Sequence, residues 1–112
     1  MNREIPERDW KVFRTVREAA LERYCARVLE ECQRIINKSG LTNHERCLEL
    51  YSLLERRDRD LASAFDAARR SAAITQLARM HAMKVVTDED LNRFSPEVRS
   101  LVIALGTGDF GD

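Results

Sequence analysis

His44, Cys47 and Cys32 are the residues whose types could act together chemically. His44 and Cys47 stand three apart and so share a helix face, and an antiparallel neighbour would bring Cys32 opposite them, a soft donor set that zinc accepts. A closed zinc site needs a fourth ligand. Cys25 lies two helical turns, roughly 10 Å, from Cys32 and cannot supply it. Two small core cysteines and a first-turn histidine in water account for the same residues, so neither a metal nor a cofactor is expected.

No Glu-x-x-His pair precedes His44 or His81, which argues against a di-iron bundle site. H-E-x-x-H, a P-loop, G-x-G-x-x-G and C-x-x-C are also missing. Two histidines, one at a loop edge and one far along a helix, do not assemble a nucleophile, base and orienter. The sequence therefore argues against an enzyme.

Three other groups could recognise something. Asp58 interrupts an apolar seam and would seek Arg17, either fixing register or forming a polar pocket with Arg14 and Arg17; register is the preferred reading. Arg56, Arg57, Arg59, Arg69 and Arg70 could line a basic edge that touches phosphates, but Glu55, Asp58, Asp60 and Asp66 are interleaved with them and favour a solvated ion-pair face. Met80, His81 and Met83 form the most plausible recognition surface for a partner protein, because methionines adapt to varied apolar shapes; the plainer alternative is ordinary core under a carboxy-terminal lid.

The elements that position these residues are helical. The 112 residues make one domain, with 44% apolar and 34% charged side chains. Nineteen basic residues, sixteen of them arginine, balance nineteen acidic ones, so no global charge draws the chain to nucleic acid or an anionic membrane. No run approaches the roughly 20 apolar residues of a membrane span, and "MNREIPERDWK" lacks the apolar core of a signal peptide. Three cysteines in helical patterns make a poor disulfide framework, so reduced thiols and a cytoplasmic location are expected. The phrases "ERRDRDLASAFDAARRS" and "RFSPEVRS" have the manner of small bacterial cytoplasmic proteins, without a family to which residue roles could be referred.

Pro6 starts a helix that runs without a breaker over 6–38, with Leu21, Cys25, Val28, Cys32 and Ile35 as its stripe. Gly40 closes it, and Thr42 with Glu45 makes the T-x-x-E box that opens the next. Cys47, Tyr51, Leu54, Asp58, Leu61 and Phe65 recur by four and three along a second helix, 43–84, with a candidate break at 56–60. So short a loop makes the two helices antiparallel, with Cys32 near Cys47 and Val28 near Tyr51.

Thr87 caps a helix at 88–94, Ser95 and Pro96 start another at 96–105, and 106–112 is a glycine-rich tail. "TDEDLNRF" and "SPEVRSLVIAL" faintly suggest a helix-turn-helix, but the first is too acidic and the second too apolar to read a groove. The expected fold is all-α: one domain over 1–105, a long antiparallel helical hairpin with short carboxy-terminal helices packed across its open end.

"CLELYSLL" is apolar around most of the helix circumference, and Leu29 and Ile36 add a second edge on the first helix. One hairpin cannot bury both. A second copy is the expected cover, with Leu29, Ile36, Leu50 and Leu53 in a dimeric four-helix bundle; the alternative cover is the carboxy-terminal helices. The function expected is that of a non-enzymatic interaction or adaptor module that binds itself and a further protein. A small regulator using the arginine edge on nucleic acid, and a thiol or metal protein, are the alternatives.

Overall fold

The computed structural model describes residues 5–66 and 69–106. Among these the regular structure is entirely helical, with no strand. Helix α1 is Glu7–Ile36, preceded by an extended Pro6 and carrying Glu7 and Asp9 in its first turn, where the helix dipole favours them. At Gly40, with φ 85°, the chain turns through the left-handed region. The Thr42 hydroxyl then accepts from the Glu45 amide at 3.0 Å, and the Glu45 carboxylate accepts from the Thr42 amide at 2.8 Å. Two orphan donors are thereby satisfied at the start of α2, Asn43–Phe65.

The second helix ends much earlier than 84, and its break falls after Phe65 rather than at 56–60. Asp66 is extended, with ψ 147°, and a short 3₁₀ turn, Arg70–Ala72, leads into α3, Ala73–Ala82. No proline or glycine marks this break. Tertiary bonds hold it: the Arg17 guanidinium donates to the Phe65 carbonyl and the Gln76 amide to the Asp66 carbonyl, occupying acceptors that an uninterrupted helix would have used. The bend lets Phe65, Leu77 and Met80 enter one core.

Helix α3 closes with paired bonds, Val85 amide to Met80 carbonyl at 3.1 Å and Lys84 amide to His81 carbonyl at 3.0 Å, with Lys84 at φ 64°. Helix α4, Asp88–Leu91, is shorter than the expected 88–94 and opens on a reciprocal Thr87–Asp90 box. Helix α5 is Pro96–Gly106, and the expected tail beyond it lies outside the described residues.

The core gathers the amino-terminal half of α1 (Phe13, Val16, Ala20), the end of α2 (Ala64, Phe65), and Leu77, Met80, Phe94, Val98 and Val102 from the later helices. Helices α3 and α5 pack closely on each other, and both α1 and α2 touch α3. Away from this end the molecule is a two-helix arm. From Cys25 to Arg57 only Cys32 and Leu53 are buried. Contacts from Arg17 to Phe65, Tyr24 to Arg57, Glu31 to Arg57 and Lys38 to Glu49 show α2 running back along α1. The molecule measures 54 × 27 × 23 Å.

Candidate functional site

The arm presents two unlike sides. On one, Leu29 and Ile36 of α1 are 64% and 55% exposed, and Tyr51 and Leu54 of α2 are 75% and 46% exposed. Steps of seven on α1 and three on α2 keep each pair on one helix face. Cys25, Leu29, Leu54, Asp58 and Leu61 share one shallow hollow of 250 Å³ between the helices, with Tyr24, Val28 and Arg57 of the seam also lining it, and Cys47, Leu50, Tyr51 and Leu54 border another of 630 Å³ together with Glu55 and Asp58. An apolar face interrupted by Glu55 and Asp58 thus crosses both helices.

Its composition corrects the expected placement of the second helix's residues. Leu53, assigned to a free edge, is 3% exposed and packs within the chain, whereas Tyr51 and Leu54, assigned to the seam, point to water. Leu50 is half-buried between the two. The helix is rotated because Arg57 takes the seam: its guanidinium grips Glu31 of α1 through two bonds of 2.9 Å. A planar fork on a carboxylate is among the strongest side-chain pairings, and it fixes which stripe of α2 faces inward. The bonds from Arg57 hold the Glu31 carboxyl below its ordinary range, and Glu31 in turn raises the Arg57 guanidinium.

The opposite side of the arm is a groove. Two hollows, of 330 and 550 Å³, share Glu31, Arg34 and Arg57 and run along the α1–α2 crevice. Val28, Ile35, Leu53 and Met83 lie within it, and Arg27, Lys38 and Arg56 edge it. The Tyr24 hydroxyl donates to the Arg57 carbonyl at 3.3 Å; burial raises the phenol's pKa, and the neighbouring Asp60 carboxylate adds to the rise. Arg27 donates to the Met83 and Lys84 carbonyls at 2.8 and 2.9 Å. Next to it, Arg23 donates to the Val85 carbonyl at 2.8 Å and to Asp90 at 2.6 Å. Burial by itself would raise the Asp90 carboxyl, but the bonds from Arg23 and Thr87 together outweigh it and leave it lowered.

The other expected site residues are dispersed. Cys32 is buried while His44 and Cys47 are exposed, and no cluster of three metal-ligating side chains occurs among the described residues. Cys47, expected in the seam opposite Cys32, points to water instead. Asp58 is exposed, and its expected partner Arg17 instead serves the Phe65 carbonyl and lies over the Phe65 ring, 5.8 Å from its centroid. Met80 is fully buried and cannot meet a partner, which corrects that part of the recognition surface. His81 is half-buried, 3.4 Å from Asp88, and Met83 borders the groove.

The arginines of the expected basic edge are engaged differently. Arg57 holds Glu31, Arg59 pairs with Glu55 at 3.9 Å, and Arg70 pairs with Glu7 at 2.8 Å; Arg56 and Arg69 are exposed. Sequence reasoning missed the basic groove. Its signal was present in the three- and four-residue spacing of Arg27, Glu31, Arg34 and Lys38.

No helix among the described residues is long and apolar enough to cross a membrane. No family model matches the chain, and neither a curated protein nor a solved structure is found to match it.

Proposed function

We propose that the chain is a small non-enzymatic interaction module that works as a homodimer, two α1–α2 hairpins joining through their apolar faces into a four-helix bundle. One observation carries this reading: an arm of two helices, Cys25 to Arg57, with only Cys32 and Leu53 buried. Two helices alone bury one stripe each, and the apolar side chains left over gain from a second pair. The chain's radius of gyration, 16.7 Å, exceeds the roughly 13 Å of a compact domain of this length. An arm that projects from its own core is shaped to be completed by another molecule.

A two-fold pairing needs only the face already present, since each copy offers the same patch. Leu29, Ile36, Tyr51 and Leu54 are about half to three-quarters exposed, so burying each would contribute about 1 to 2 kcal/mol, and the eight side chains of two copies would exceed the lower estimates of the cost of association. The groove on the opposite side then remains open for a different protein, which is the adaptor part of the reading.

Sedimentation tests the pairing. The unaltered chain should run as a dimer at micromolar concentration, and Tyr51→Glu with Leu54→Glu should run as a folded monomer. A compact monomer for the unaltered chain over that range would refute the dimer.

A further inference from the structure

We infer that the groove opposite the apolar face binds an acidic amphipathic helix of a partner protein. The groove and the apolar face point apart because successive helix residues turn by about 100°, which sets Arg27 and Arg34 roughly 140–160° from Leu29 around α1. The two surfaces can therefore be filled at once.

Charge selects the occupant. Five basic side chains, Arg27, Arg34, Lys38, Arg56 and Arg57, stand against two acidic ones, Glu31 and Asp60, along the groove. Counting Glu49, which pairs with Lys38 at the loop end, still leaves an excess of two positive charges on a chain whose net charge is zero. Arg57 and Glu31 neutralise each other on the floor. Arg27 spends its donors on neutral carbonyls, and Arg34 and Arg56 pair with no carboxylate among the described residues. Arg34 and Arg56 both act on the Glu31 carboxyl from a distance, yet neither is held in a close ion pair, so their donors face outward on the two rims, where flanking carboxylates of a docked helix would meet them.

The floor selects a helix over a nucleic acid. Val28, Ile35 and Met83, each half-buried, offer an apolar strip between the rims above the buried Leu53, suited to the i, i+3, i+4 side chains of an amphipathic helix. A phosphate backbone carries no apolar side chains and would leave that strip uncovered. A third helix laid along two antiparallel ones also buries more of the arm's thin core.

This inference rests on the interaction-module reading, but its test is separable from dimerisation. The probe is a fluorescein-labelled synthetic peptide with leucines at helical spacing flanked by glutamates, followed by anisotropy. A version with glutamine for every glutamate and a single-stranded oligonucleotide serve as comparisons. The acidic peptide should bind, weaken with added salt, and bind at least about tenfold more tightly than the glutamine version. Arg34→Glu with Arg56→Glu should abolish binding while keeping the helical circular dichroism and the sedimentation of the unaltered chain. Tyr51→Glu with Leu54→Glu should bind the peptide as before, whatever its oligomeric state. Equal binding of both peptides, no binding at low salt, or tighter binding of the oligonucleotide that is lost in the arginine variant would each overturn the inference.

Discussion

Asp9 and Ser95, eighty-six positions apart, are bonded twice: Asp9 Oδ1 accepts from the Ser95 amide at 2.8 Å and Oδ2 from the Ser95 hydroxyl at 2.7 Å. Asp9 is 1% exposed, and Ser95 is the residue before α5 whose oxygen also faces the Val98 amide. The first turn of α1 thereby fixes the start of the last helix. Removing the carboxylate would strand two donors, and hydrogen bonds to a charged group contribute about 1.5–3 kcal/mol each.

Asp9→Ala should accordingly cost about 2–4 kcal/mol in urea denaturation. Asp9→Asn, which keeps one acceptor oxygen, should cost less. Equal stability of Asp9→Ala and the unaltered chain would show that the double bond does not hold α5 in place.

Leu53 and Leu54 are neighbours in sequence with opposite surroundings, 3% and 46% exposed. Leu53→Ala should destabilise the fold by about 2–4 kcal/mol, the range for a buried leucine whose site collapses only in part. Leu54→Ala should leave the monomer's unfolding almost unchanged and act on self-association. Urea titration at low protein concentration measures the first, and sedimentation the second.

The α2 stripe shows what could be read from the chain and what could not. The starts of α2, α4 and α5 were legible, because Thr42–Glu45, Thr87–Asp90 and Ser95–Pro96 are local signals, whereas the start of α3 at Ala73, which has no side-chain cap, was not. Nor was the facing of α2. Two stripes overlap there, Cys47–Tyr51–Leu54–Asp58 and Leu50–Leu53–Arg57–Ala64, both at helical spacing and each with one charged residue, and periodicity alone does not choose between them. The structure prefers the second because Arg57 finds Glu31, twenty-six positions away. The end of α2 was hidden for the same reason: its terminal carbonyls are bonded by Arg17 and Gln76, remote in sequence, and no glycine or proline stands at the break. The groove shares this dependence, since its rims lie on two helices whose rotation the Glu31–Arg57 pair decides.

Lys84 offers a substitution that should stabilise. It holds φ 64° at the position after the α3 cap, using only its amide, toward His81, and its carbonyl, toward Arg27. A side chain in the left-handed region is strained and glycine is not. Lys84→Gly should gain about 0.5–1 kcal/mol in urea denaturation, and Lys84→Val should lose stability, because a β-branched residue fits this region worst. A loss on Lys84→Gly would mean that the lysine side chain itself holds the turn.

Two carboxylates tie stability to pH. Glu31 and Asp90 are both held below their ordinary values, Glu31 by the bonds from Arg57 and Asp90 by bonds from Arg23 and Thr87 that outweigh its burial. A carboxyl whose folded pKa lies below its unfolded one binds protons more readily in the unfolded chain. Its contribution is therefore fully present above the unfolded value, near 4, and lost as pH falls through the lower folded value. The thermal midpoint, followed by circular dichroism, should be steady from about pH 8 to 6 and drop between about pH 5 and 3. Glu31→Gln with Asp90→Asn should start from a lower midpoint at neutral pH and fall less on acidification, because the groups that distinguish folded from unfolded proton binding are gone. An equally steep acid fall in that variant would assign the loss to other carboxylates and separate Glu31 and Asp90 from the stability of the arm and the α3–α4 turn.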